Sequence, residues 1–130
     1  MLVRLMEELA DAFGAIYGGA LALFADLAMT LAVGSTAPPG SAYSPLDMTV
    51  HFLRAVLPDA NPGGGLLRAR SRVTHRGRTI AVTNCEITDP NGKLVVQASG
   101  STLILPGRPW QRPVNVGDEI GADPPAGAAG

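Results

Sequence analysis

The chain has one cysteine, Cys85, in 130 residues. A lone cysteine excludes an internal disulfide, and it has no companion for a metal site. The two histidines, His51 and His75, fall in separate segments with no partner at ligand spacing, so no metal is expected and both read as structural. Charge is scarce too: 16% of residues are charged and the net charge is −1. That balance excludes a general nucleic-acid binder, whose footprint is strongly basic. No nucleophile elbow surrounds Ser35, Ser41 or Ser44, which excludes a serine hydrolase of that type. No internal repeat is visible. What remains is a chain that is 46% hydrophobic, enough for one domain with a modest core. Its cysteine usage fits a reducing compartment, and a cytoplasmic location is expected.

The most informative segment runs from Phe13 to Thr30. Gly18 and Gly19 stand where a helix should begin, and Asp26 lies inside an otherwise apolar helix. A buried ionised carboxylate costs several kcal/mol unless it is paired, hydrogen-bonded or used. The first N–H groups of a helix have no partner within it, so an oxyanion or polarised carbonyl can be held there. Bare amides and an isolated carboxylate are the minimal parts of an acyl-transfer site. Two structural alternatives stand beside this reading. Asp26 could cap a helix of another subunit or bond Thr30, and the glycines could serve close helix-to-sheet packing.

Ala15 to Val33 is 19 residues with a single charge, about the length of a membrane span. Asp26 would cost about 2.5–3.5 kcal/mol at the centre of a span. A signal peptide needs a positive start, whereas Glu7, Glu8 and Asp11 precede this run. The segment therefore reads as a helix covered by sheet on nearly every side, with no membrane contact.

Beyond it the hydrophobic period changes from 3.6 to 2. Gly34 to Gly40 is a loop by composition. Leu46, Met48, Val50 and Phe52 alternate with polar residues as a half-buried strand. Pro58 to Gly65 is a turn region, and Leu67, Ala69, Ser71 and Val73 alternate with Arg68, Arg70 and Arg72 in a second strand with a solvated arginine face. A tight turn at His75–Arg78 leads to a third strand, Thr79 to Thr88, which holds Cys85 as a small core or interface residue. Asp89-Pro-Asn-Gly92 is a hairpin turn, and Lys93 to Leu105 is the fourth strand. Met1 to Ala10 reads as a strand or a helical turn; the strand is favoured, beginning abruptly as if the natural start lay upstream. Residues 106–130 form a Pro/Gly/Ala-rich tail expected to be extended and partly disordered. One domain over 1–105, with a long helix on the concave face of an antiparallel sheet, is an α+β layout.

Asp11-x6-Gly18-Gly-x6-Asp26, the strand end Asp47-Met-Thr-Val-His-Phe-Leu-Arg54, His75-Arg-Gly-Arg78 and Asp89-Pro-Asn-Gly-Lys93 together resemble the hotdog-fold acyl-CoA thioesterases. The resemblance spans roughly residues 3 to 105, the span an element-by-element reading can support, and is nearest the phenylacetate-pathway, or PaaI-like, branch. It implies one long helix wrapped by a curved antiparallel sheet, and subunits paired sheet edge to sheet edge as a homodimer or a dimer of dimers. It also implies an acyl-CoA substrate and no cofactor beyond that coenzyme A. By position Gly18 falls on the amide that polarises the thioester carbonyl, and Asp26 on the carboxylate that acts as nucleophile or general base. Thr30 falls on a hydroxyl that orients the attacking water in some members. Two positions depart from the pattern. Tyr17 stands where members commonly carry His, and Asp11 where they carry Asn or Gln. Tyr17 can donate a hydrogen bond without titrating near neutrality, and Asp11 and Asp26 would raise each other's pKa if they approached.

Gly18 and Asp26 lie eight residues apart, about 12 Å along one helix. Both groups must come within about 3 Å of one reacting carbonyl. Two antiparallel helices satisfy this more readily than one, which favours a site shared across a homodimer. Arg54, Arg76 and Arg78, placed at element ends, are candidates to clamp the phosphates of the substrate, a role that suits guanidinium. A non-catalytic hotdog module that binds acyl-CoA or only assembles with partners is the alternative function. A hotdog dehydratase or hydratase would want a histidine in the helix region, and none is there.

Overall fold

Buried side chains at Leu21, Phe24, Ala25, Ala28, Met29 and Val33 recur at the spacing of a single helical face. They belong to α1, Gly18–Gly34. The helix ends where Ser35 Oγ donates to the Ala32 carbonyl (2.7 Å) and Thr36 Oγ1 to that of Val33 (2.9 Å), competing with further helical turns. Pro38 and Pro39 then keep the chain from resuming a helix.

The computed structural model describes residues 2–4, 9–59, 65–105 and 107. Five strands form one sheet: β1 Leu2–Arg4, β2 Ala42–Phe52, β3 Leu66–Arg76, β4 Ile80–Thr88 and β5 Leu94–Leu105. Their order is β1-β3-β4-β5-β2, and every neighbouring pair is antiparallel. Alternation of buried and exposed residues is clearest in β4, where Ala81, Thr83, Cys85 and Ile87 point into the core. Leu67 and Ala69 from β3, and Val95, Val96 and Ala98 from β5, meet the buried face of α1 there. A smaller cluster of Val33, Ala81 and Ile104 closes the far end of the helix.

The α+β reading therefore holds, with three local differences. Strand β2 begins at Ala42 rather than Leu46 and contains Pro45. A register shift between Pro45 and Asp47 and a place at the sheet edge accommodate that proline. Strand β3 continues through His75 and Arg76, so the expected turn is displaced to follow them, closed by Gly77 N–H donating to the Ile80 carbonyl. Within one chain the sheet covers one side of the helix, not nearly every side. Leu23, Leu27 and Leu31 remain exposed, and so do Leu46, Met48 and Phe52 of β2, which the sequence reads as half-buried. The strand reading of the first ten residues holds over Leu2–Arg4. The expected tail lies outside the described residues except for Gly107. No helix among the described residues is long and apolar enough to cross a membrane.

The antiparallel registers give the sheet two distinct ends. Phe52, Leu66, Thr88 and Leu94 gather at one, and Ala42, Arg76, Ile80 and Leu105 at the other. The helix begins at the first end, where Gly18 meets Phe52, and finishes at the second, where Gly34 meets Tyr43.

Candidate active site

The chain enters the helix along a defined path. Ile16 N–H donates to the Val56 carbonyl and Tyr17 N–H to that of Leu9, both at 2.9 Å. Tyr17 occupies the N-cap with extended backbone (φ −55°, ψ 138°), and no side chain caps the helix start. Its carbonyl accepts from Ala20 N–H (3.0 Å) and Leu21 N–H (3.3 Å). The N–H groups of Gly18 and Gly19 have no partner among the described residues. They are the orphan donors that the sequence anticipates at a helix start.

The two glycines are kept by different surroundings. A Cβ on Gly18 would stand 3.1 Å from Cζ of Phe52, whose ring lies over it. Close packing accounts for that glycine. A Cβ on Gly19 would meet nothing within 4 Å, so packing in this chain gives Gly19 no reason to be glycine.

Gly19, Leu23, Asp26 and Thr30 recur at helical spacing along the flank that the sheet leaves open. Asp26 and Thr30 are half-buried, and neither makes a hydrogen bond or ion pair among the described residues. The structural alternative of an Asp26–Thr30 bond is therefore not realised within one chain. Asp11 has a clear local task. Its Oδ1 accepts from Phe13 N–H (2.8 Å) and Ala15 N–H (3.1 Å), folding the loop that precedes the helix. Tyr17 is more than half exposed beside that loop.

The three arginines separate. Arg54 follows β2 at the helix-start end, whereas Arg76 and Arg78 flank the β3–β4 turn at the opposite end. Arg76 is further tied down by a hydrogen bond from its guanidinium to the Gly77 carbonyl. Arg68, Arg70 and Arg72 are exposed along β3, as read. Cys85 is buried in the core, and burial pushes its thiol pKa up. Among the described residues no group of three His, Cys, Asp or Glu could hold a metal ion.

Two residues have roles that no local sequence pattern announces. Phe52 belongs to the strand-end motif in the sequence, but its contact with Gly18 joins residues far apart in the chain. Asp47 was quoted only as part of a motif, yet its Oδ1 accepts from both the N–H (2.9 Å) and the Oγ (2.8 Å) of Ser101. That pair braces β2 where its register shifts, and it holds the Asp47 carboxyl below the usual carboxylate range.

A single helix laid across an antiparallel sheet is the hotdog architecture. The chain belongs to the thioesterase superfamily, whose family description matches residues 13–96. Solved structures agree. A Bacillus halodurans protein solved with CoA is 21% identical, with a TM-score of 0.72 over 80% of this chain and 69% of that one. A phenylacetic acid degradation-related protein from Ralstonia eutropha JMP134 is 27% identical, with a TM-score of 0.71 over 78% and 72%. The E. coli PaaI protein from the phenylacetic acid degradation operon is 25% identical, with a TM-score of 0.71 over 82% and 72%. These likenesses place the chain with the PaaI-like branch. Comparison with curated protein sequences gives no match.

Proposed function

We propose that this chain hydrolyses acyl-CoA thioesters as a homodimer, without a metal or a resident cofactor. The observation that carries the reading is the pair of N–H groups at Gly18 and Gly19 at the start of the helix whose open flank holds Asp26, none of them with a partner among the described residues. Donors aimed at a thioester carbonyl oxygen stabilise the charge that develops there on attack. Asp26 then either attacks the carbonyl carbon, expelling the CoA thiolate, or takes a proton from a water that attacks it. Thr30, one turn beyond, can orient that water.

The axial separation of about 12 Å argues that the amides of one protomer work with the partner subunit's Asp26. Exposed apolar surface supports the pairing. Leu23, Leu27 and Leu31 line the open helix flank, and β2 is an eleven-residue edge strand with Leu46 and Met48 exposed. A long unpaired apolar edge is a template for a second strand. The lone buried Cys85 suits a reducing cytoplasm.

Acyl-CoA hydrolysis followed with a thiol-detecting reagent tests the activity. Asp26→Asn keeps shape but loses the base, and is expected to lower turnover at least about a hundredfold. Gly18→Pro removes one N–H donor. Refolding a mixture of the two inactive variants is expected to restore activity in mixed dimers, each with one intact composite site. Tight acyl-CoA binding by a wild-type protein with no turnover would instead favour the non-catalytic module.

A further inference from the structure

The outer face of the sheet changes character along its strands. Ala81, Thr83, Cys85 and Ile87 of β4 and Thr102 and Ile104 of β5 are buried against the core, so the residues between them face outward. Toward the helix-start end the outward residues are polar: Arg70, Arg72, Asn84, Glu86, Gln97 and Ser99. Toward the other end they are Ile80, Val82, Leu103 and Leu105, with Ile80 paired to Leu103 and Ala42 to Leu105. Leu105 is exposed, and the other three are only half-buried. The solvated face of an antiparallel sheet is ordinarily polar, so this apolar half calls for a cover.

The chain carries one within reach. Strand β5 ends at Leu105, and Gly107 follows in a turn with φ +74°. Proline followed by a glycine at positive φ is the pattern of a type II turn, which reverses the backbone. A reversed chain has no place in the plane of the sheet, because β4 and β2 already flank β5. The inner face is filled there by Val33, Ala81 and Ile104, with Ala37 and Tyr43 packed against them. The outer face is left. Trp110 lies three residues beyond Gly107, a reach of at most about 11 Å. Pro109 and Pro113 have no N–H, which suits a segment laid across a face better than one added as a strand. Arg108 and Arg112 flank the indole in sequence, and Asp47, bonded to Ser101, is an exposed carboxylate on this same face.

We propose that residues 108–113 fold back over the outer face of their own sheet and seat Trp110 on Ile80, Val82, Leu103 and Leu105. A turn over 105–108 sets Trp110 level with Leu103, and an indole brings about 150–250 Å² of surface to bury there. The cover leaves the helix flank and the β2 edge as the apolar surfaces open to a second protomer. Trp110 is the one tryptophan of the chain, so the intrinsic emission of the full-length protein reports its surroundings directly. Native wild type is expected to emit at shorter wavelength than the urea-unfolded chain, and acrylamide is expected to quench it several-fold less. Val82→Lys and Leu103→Lys, both at outward positions, are each expected to move the emission toward the unfolded value and to raise quenching, with far-ultraviolet circular dichroism unchanged. Arg70→Gln, on the polar half, is the control and is expected to alter neither. The wild-type emission is also expected to stay constant through a dilution series, since the contact lies within one chain. Emission and quenching in native wild type equal to those of the unfolded chain would overturn the proposal, whether or not any variant folds. Protected emission that ignores both lysine variants would overturn it too, by placing Trp110 against another surface such as the helix flank. A shift on dilution would assign the contact to a second chain and overturn it as well.

Discussion

Gly19→Ala separates what packing demands from what a ligand demands. Gly19 has no positive φ, and its missing Cβ would touch nothing within 4 Å. Alanine loses less backbone entropy on folding than glycine and is the better helix former, by about 0.5–1 kcal/mol. The variant is therefore expected to be more stable by up to that amount, about 2–4 °C in Tm for a chain of this size. The N–H donor survives the change, so the substitution adds only a methyl group. If the thioester or a partner helix rests against the bare helix start, that methyl obstructs it. Displacements of about 1 Å in an active site can cost a hundredfold, and a loss of tenfold or more in kcat/KM is expected.

Gly18→Ala is the internal control. Its Cβ would stand 3.1 Å from the Phe52 ring, and that half-exposed side chain can yield by a few tenths of an ångström. Its stability should stay near that of wild type. Both variants are compared by thermal unfolding at one fixed protein concentration, because association shifts Tm. Wild-type activity in a stabilised Gly19→Ala protein would refute the argument that Gly19 is kept for a ligand. A clear loss of stability in the same variant would refute the open space around it.

Three further outcomes are expected. Gly100→Ala would bring a Cβ within 2.7 Å of the Asp47 carbonyl oxygen, a backbone atom that cannot step aside, so urea unfolding should show a loss of about 1–3 kcal/mol. Asp47 has a depressed carboxyl pKa in the folded protein, so its contribution is present above the ordinary value of 3.8 and disappears as pH falls through the folded value; Asp47→Asn should flatten the acid limb of the stability–pH curve, and an unchanged limb would contradict it. Asp26→Asn, by contrast, should leave urea unfolding close to wild type while hydrolysis collapses.

Much of this was legible in the chain because single-element periods carry it. The apolar run of the helix, the alternation of Leu67, Ala69, Ser71 and Val73 with the arginines of β3, and the Asp89–Gly92 turn each depend on near neighbours. Strand β2 was harder to read. Pro45 breaks the expected pattern, and only its edge position and register shift make it a strand residue. The arginines show the same limit. Arg54, Arg76 and Arg78 look alike as residues at strand ends, but antiparallel pairing sends them to opposite ends of the sheet. Only the topology leaves Arg76 and Arg78 away from the helix start.

The open helix flank was illegible for a different reason. Leu23, Leu27 and Leu31 are as apolar as Leu21, Phe24 and Met29, so no periodicity distinguishes the face one sheet covers from the face it leaves bare. The polar residues mark the boundary. Asp26 and Thr30 are half-buried beside the exposed leucines, and Gly19 opens the same flank at the helix start. A second protomer seated on Leu23, Leu27 and Leu31 would bury those side chains and leave Asp26 and Thr30 along the seam. A carboxylate there sits in a groove of lowered polarity without being sealed from substrate, which is where a proton acceptor for water is most effective. If Leu23→Glu with Leu27→Glu yields a folded monomer by light scattering, it should also be inactive. A fully active monomer would show that one chain holds the whole site.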